Sequence, residues 1–178
     1  VFPIHFPFRV SSVSIRGEDF LPWRRGLAMF DDVQQVFRCV VREVWVVTAA
    51  TGERRGGLTV TWLSSASMDP QKPVVLVGLA PNHATTPLVE ASGHFAAHLL
   101  RADQAGVAWR FASSSSRDGD KFAGLAVTEG AGKAPLLADC LARLECRVFH
   151  RVATGDRTYL WGDVVGAVSY THLRAHET

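Results

Sequence analysis

Three short apolar runs closed by turn-forming residues constrain this chain most. Val44-Trp45-Val46-Val47-Thr48-Ala49-Ala50 and Leu58-Thr59-Val60-Thr61-Trp62-Leu63 are separated by the glycine-rich Thr51-Gly52-Glu53-Arg54-Arg55-Gly56-Gly57. Val74-Val75-Leu76-Val77-Gly78-Leu79 follows a Ser/Asp/Pro loop over residues 64–73. Runs of this length, rich in β-branched residues and punctuated by glycine and proline, read as strands, and the first two as a hairpin. In the second strand Thr59 and Thr61 alternate with Leu58, Val60 and Trp62, which puts the two hydroxyls on one face. The third run is uniformly apolar, as in a strand buried on both faces. All are far shorter than the roughly 18 to 20 residues of a membrane helix, so no membrane association is expected.

Around this β-rich centre the helices are few and short. Val33, Val36, Phe37, Val40 and Val41 recur at helical spacing, with Asp31 and Asp32 at the start and Arg38 and Arg42 towards the end, which predicts an amphipathic helix over 31–42. Residues 85–92 read as a short helix closed by Gly93, residues 94–100 as a strand, and residues 102–112 as a helix with Val107 and Phe111 on one side. Residues 141–151 and 158–168 read as two long strands about the turn Thr154-Gly155-Asp156-Arg157. Six or so strands with short helices predict an α+β, mainly β fold, a small barrel in one domain.

Composition excludes several function classes. With 178 residues, 47% hydrophobic and 20% charged, the chain is neither disordered nor fibrous. Its 19 basic and 17 acidic residues give a formal net charge of +2, too balanced for a nucleic-acid binder but suited to small anionic ligands. Three cysteines, Cys39, Cys140 and Cys146, make no disulfide framework or zinc ribbon, and a reducing, cytoplasmic location is expected. His94 and His98, four apart, would share a helix face but fall in a strand, so no metal site is expected. Gly130-Ala131-Gly132-Lys133-Ala134 lacks the hydroxyl that a phosphate loop places after its lysine and reads as a surface turn. No Gly-x-Ser-x-Gly nucleophile motif and no evident acid/base dyad occur, so no catalytic side chain is named.

What remains is a concentration of small hydroxyls: Thr59, Thr61, Ser64, Ser65 and Ser67 about the second strand and its following loop, and Thr85 and Thr86 at a helix start. Hydroxyls and unpaired N–H groups in a strand-to-loop turn bind a phosphate or a polar ring edge, and a helix start favours an anion. The competing reading is helix capping and a polar loop.

The ordered series containing these residues resembles the flavin reductase-like, FMN-binding split-barrel family. It runs from Gly57-Leu58-Thr59-Val60-Thr61-Trp62-Leu63-Ser64-Ser65-Ala66-Ser67-Met68-Asp69-Pro70 through Asn82-His83-Ala84-Thr85-Thr86, Ser92-Gly93-His94-Phe95-Ala96, Asp103-Gln104, Asp120-Lys121-Phe122-Ala123-Gly124, Leu144-Glu145-Cys146-Arg147 and Gly155-Asp156. The resemblance covers roughly residues 28–168. It leaves 1–27, which opens on Val1, as an N-terminal extension of uncertain standing, and 169–178 as an expected non-native or disordered tail.

The resemblance implies a split β-barrel that dimerises, with FMN at or near the subunit interface. Cofactor contacts carry over by position to Thr61, Trp62, Leu63, Ser64, Ser67 and Asp69, with further ones from Asn82, Thr85 and Thr86. The implied activity is reduction of flavin by NADH or NADPH, the reduced flavin passing to a separate monooxygenase. A non-catalytic flavin-binding or electron-transfer protein is the alternative. The sequence departs from the family in two places. His98-Leu99-Leu100 stands where relatives often have Asn-Val-Leu, so a flavin contact there is made by imidazole or is absent. Gly155-Asp156-Arg157 stands where many have Gly-Asp-His, which replaces a titratable ring with a permanent cation able to pair a phosphate or to lie exposed on the turn. His83 and Lys121 read as solvated loop residues, and Phe122 as a flavin cover or core. Trp45 and Trp161 read as core and interface packing, and Cys146 as an inert small hydrophobe.

Overall fold

A computed structural model describes residues 28–113 and 119–170. The described residues divide into two units between Val41 and Arg42. Of the first, helix α1 (Ala28–Cys39) is described; it starts and ends three residues before the amphipathic segment expected over 31–42, so Val40, Val41 and Arg42 lie beyond its end. The expected extension before it and most of the expected tail lie outside the described residues.

The second unit is built on one seven-stranded antiparallel sheet. In chain order its strands are β1 (Trp45–Thr51), β2 (Arg54–Val60), β3 (Leu63–Ser65), β4 (Val74–Leu79), β5 (His94–Leu99), β8 (Ala142–Ala153) and β9 (Thr158–Ser169). A two-stranded sheet of β6 (Val127–Glu129) and β7 (Pro135–Leu137) lies between β5 and β8 in the chain. Helices α2 (Thr86–Ser92) and α3 (Ala105–Ala112) complete it.

Hydrogen-bonded order in the large sheet is β2-β1-β5-β8-β9-β4-β3. The two outermost strands, β2 and β3, are thus joined by Thr61 and Trp62 alone. A link that short holds the sheet's opposite edges together at one corner, which a flat sheet cannot do, so the sheet curls into an incompletely closed barrel. The Gly78 N–H donates to the Trp62 carbonyl at 2.8 Å and fixes that corner against β4. This is the expected fold class, and the expected elements change in detail. The strand expected over 58–63 is two strands, and the first hairpin turns at Gly52, with φ of 57°, so that Thr51 already faces Arg54.

Alternation distributes the core. Val47 and Ala49 of β1, Leu58 and Val60 of β2, Val75, Val77 and Leu79 of β4, and Phe95 and Ala97 of β5 fill the barrel with Leu88, Val89 and Leu160. Val46 points the other way and packs with Leu100, Phe111, Phe122 and Leu137 beneath α3. Strands β1 and β5 are therefore buried on both faces. In β4, expected to be so, Val74 and Leu76 are only half-buried. Gly57 lets α3 approach β2, since a Cβ there would lie 2.5 Å from the Phe111 ring.

The segment missed in the sequence, β6 and β7, is a hairpin whose turn is Gly130-Ala131-Gly132-Lys133. The Ala131 N–H donates to the Glu145 carboxylate at 2.7 Å, so this glycine pair serves the fold, as the turn reading required.

Candidate functional site

Thr61 and Trp62 lie outside the strand ladder because they turn the barrel corner, and both side chains are exposed. Two clefts meet at them. One, of about 300 Å³, is lined by Arg42, Thr61, Trp62, Leu63, Ser64, Leu76, Gly78 and Tyr159. The other, of about 140 Å³, is lined by Leu58, Thr59, Val60, Thr61, Trp62, Gly78, Ala80 and Arg157. No carboxylate lines either. A third hollow, about 420 Å³ and mostly apolar, begins at Thr59 and Thr61 and runs beneath Ala105, Ala108 and Trp109 of α3.

The Trp62 ring is the partition between the first two clefts. Tyr159 lies nearly parallel to it, with centroids 6.3 Å apart and planes at 11°. The Arg157 guanidinium lies 4.8 Å from the Trp62 ring centroid. Gly78 makes the space, since a Cβ there would sit 3.2 Å from both Trp62 and Tyr159.

The hydroxyl cluster separates into two kinds. The Thr59 hydroxyl donates to Ala108 O at 2.6 Å, Ser65 to Ser67 O at 3.1 Å and Thr86 to Ala80 O at 2.6 Å. The Ser67 hydroxyl accepts the Asp69 N–H at 3.0 Å, and the Asp69 carboxylate accepts the Gln71 N–H at 2.9 Å, a run of side-chain-capped turns. Thr61 and Ser64 are exposed, and neither hydroxyl has a protein partner among the described residues. The sequence could not make this division, because residue type is the same in both groups and only the partner differs.

The structure thus brings Thr61, Trp62, Leu63, Ser64 and Arg157 together, and adds Arg42, Gly78 and Tyr159, which the sequence did not single out. Ser67 and Asp69 stand in the adjoining loop. Asn82 is exposed on the turn after β4, whereas Thr85 and Thr86 are buried, at 1% and 2% exposure, and Thr86 braces Ala80 at the edge of the smaller cleft. His98 is apart from the clefts and fully buried. Its Nε2 accepts the Leu137 N–H at 3.1 Å, so Nδ1 carries the proton and donates to Val46 O at 3.0 Å. Both ring nitrogens are thus taken up by the fold, which leaves neither for the imidazole contact expected at this position. Burial, together with Arg143 and against the Val46 bond, takes its pKa down to about 4.

Lys121 corrects the solvated reading. It is 4% exposed, and its ammonium donates to Phe111 O at 3.0 Å and Gly57 O at 3.3 Å, tying α3 to β2. His83 is half-buried and accepts the Thr85 N–H at Nδ1, and burial, reinforced by Lys121, lowers its pKa. Phe122 is core, edge-on to Phe111. Trp45 and Trp161 are half-buried. Cys146 is fully buried, and its thiol pKa is pushed up to about 12 chiefly by that burial, as suits an inert residue.

Residues 37–177 match the family model described as "Flavin reductase like domain". The chain belongs to the flavin reductase-like family. Among curated members it is 37% identical over 124 residues to FMN reductase (NADH) SmoA of Agrobacterium fabrum, covering 70% of this chain and 68% of that protein. It is 26% identical to putative diflavin flavoprotein A 1 of Nostoc sp., covering 79% of this chain and 24% of that protein. The chain thus spans about a quarter of the diflavin flavoproteins it matches. Among solved structures of the family, NADH:FAD oxidoreductase SgcE6 of Streptomyces globisporus has a TM-score of 0.70 at 29% identity, over 79% of this chain and 83% of that one. The styrene monooxygenase flavin reductase SMOB of Pseudomonas putida S12 has a TM-score of 0.67 at 28% identity, over 79% and 87%.

Proposed function

We propose that this chain binds FMN in the clefts about Trp62 and catalyses its reduction by NADH or NADPH. The observation that carries the reading is the pair of unclaimed hydroxyls, Thr61 and Ser64, beside an exposed aromatic ring in a cleft lined by arginine and no carboxylate. Such a donor set fits a flat, anionic cofactor: rings meet Trp62 and Tyr159, and polar edges and phosphate meet hydroxyls and guanidinium. The family and the names of relatives such as SmoA, SgcE6 and SMOB support it.

When bound, the flavin supplies the redox chemistry, accepting at N5 the hydride from nicotinamide C4. The chain's part is positioning. Leu63, Leu76 and the indole face exclude water, the strand corner holds Thr61 and Ser64 on a rigid element, and Gly78 keeps the floor of the cleft flat. A reaction that transfers hydride between cofactors requires no protein acid or base at the reacting carbon, and none lines the clefts.

Passage of reduced flavin to a separate monooxygenase belongs to this reading, as does a homodimer. Strands β8 and β9 expose Phe149, Val152, Val165 and Val168, apolar surface of the kind a second subunit covers. A flavin titration followed by fluorescence quenching tests the binding step: saturable quenching with FMN is expected, and its absence at any concentration contradicts the reading. Light scattering after size exclusion tests the dimer.

A further inference from the structure

The third hollow, beneath α3, differs chemically from the two clefts at Trp62. Its floor is the face of α3 that carries Ala105, Ala108 and Ala112, three methyl groups at helical spacing, and its wall is Trp109, which is 76% exposed. Its polar side chains are largely engaged. The Thr59 hydroxyl donates to Ala108 O, and the Gln104 amide accepts the Arg101 N–H and donates to Asp139 O. Arg101, the one charged residue of the lining, is held by both Asp103 and Asp139 and so is neutralised. A slot of about 420 Å³ with a flat apolar floor, an aromatic wall and no free cation suits an uncharged planar ring and offers no seat to a phosphate. Thr59 and Thr61 line both this hollow and the smaller cleft that holds Arg157, so the two adjoin.

We infer that the hollow beneath α3 binds the adenine ring of the pyridine nucleotide, against Trp109 and the alanine face. The inference rests on the reductase reading above and goes beyond it, because it gives the co-substrate a second point of attachment outside the clefts at Trp62. NADH carries two flat bases joined through two negatively charged phosphates. With adenine beneath α3, the joining phosphates pass the smaller cleft, where Arg157 is the cation, and nicotinamide reaches Trp62. A neutral base stacked on an indole needs no partner charge. Binding energy from this remote half of the nucleotide orients the half that reacts.

The test uses the full chain as wild type, Trp109→Ala and Ala105→Leu, the first removing the wall and the second filling the slot from an exposed helix position. Flavin-free protein is titrated with NADH and with reduced nicotinamide mononucleotide, which lacks the adenylate half, by nicotinamide fluorescence. The wild type is expected to bind NADH about tenfold more tightly, the effect of one base–indole stack. Each variant is expected to weaken NADH about tenfold and the mononucleotide by less than about twofold, and kcat/KM in excess FMN should show the same pattern. Thermal unfolding checks that each variant folds. Titration with FAD and FMN distinguishes the other source of adenine: variants that weaken FAD relative to FMN, with the NADH ratio intact, would put the adenine of FAD in the hollow and overturn the inference. Equal binding of the two nicotinamide compounds by the wild type, or an unchanged ratio in both variants, overturns it and leaves the reductase standing where FMN-dependent oxidation of NADH persists. A wild type that neither binds nor oxidises either pyridine nucleotide overturns the reductase reading, and this inference with it.

Discussion

The guanidinium of Arg157, from the turn between β8 and β9, lies 4.8 Å from the centroid of the Trp62 ring at the corner between β2 and β3. Two segments nearly a hundred residues apart are thereby joined over the one indole that divides the clefts. The Arg157 Nη1 donates to Asp156 O at 2.9 Å, which leaves the other guanidinium N–H groups for an anion.

Arg157→His is expected to shift nucleotide choice, lowering kcat/KM for NADPH relative to NADH, because the substituted ring carries little charge at neutral pH. Steady-state kinetics with both nucleotides reads this. An unchanged ratio would mean that the arginine recognises neither phosphate.

Gly78→Ala is expected to disorder the Trp62 and Tyr159 stack, since its Cβ would stand 3.2 Å from both rings. Overpacking of this kind costs about 1–3 kcal/mol. Flavin affinity and the melting temperature should both fall, and Trp62→Ala in the same background should relieve the loss in melting. A variant with unaltered melting and affinity would show that the indole does not rest on Gly78.

The hydroxyls should separate by partner. Thr61→Ala and Ser64→Ala remove donors with no protein partner, so each is expected to weaken FMN by about 0.5–1.5 kcal/mol with little change in melting. Ser67→Ala removes the acceptor for the Asp69 N–H and is expected to lower melting instead. Paired titrations and unfolding curves decide it; if melting falls as far as affinity for Thr61→Ala, that hydroxyl is structural.

His98 makes stability fall in acid. Its pKa is about 4 in the folded protein, against the ordinary histidine value of 6.5 that the unfolded chain keeps, so at pH 7 it is neutral in the folded state and mostly neutral in the unfolded one, and contributes little slope. Between about 6.5 and 4 the unfolded chain binds the extra proton, and stability falls as pH falls, by up to about 3 kcal/mol in all. His83 acts in the same direction. Denaturant titrations across this window should show the slope, diminished in His98→Gln; an equal slope in that variant would exclude His98 as its source.

Much of the architecture was legible because it depends on local pattern. The β1–β2 pairing, α2 with its Gly93 cap and the β8–β9 hairpin follow from apolar period and turn residues. The break at Thr61 and Trp62 was not legible, since Leu58 to Trp62 alternate without interruption, and only barrel closure shows that the chain must leave the ladder there. The hairpin of β6 and β7 was hidden by three-residue strands, too short to show a period. At the site, residue types marked the hydroxyl cluster but not which hydroxyls are spent on backbone. Lys121 and His98 show the same limit: their polar ends are buried against carbonyls and N–H groups supplied by elements distant in sequence, an arrangement that no spacing encodes.

The account turns on whether this chain transfers hydride to flavin. The most direct measurement is nucleotide oxidation by the purified protein, followed by absorbance, with NADH and then NADPH in excess FMN. Oxidation of at least one nucleotide, dependent on both protein and FMN and reduced in Thr61→Ala, is the predicted result. A protein that binds FMN but leaves oxidation of both nucleotides at the background rate would contradict the reductase and leave a flavin-binding or electron-transfer protein in its place.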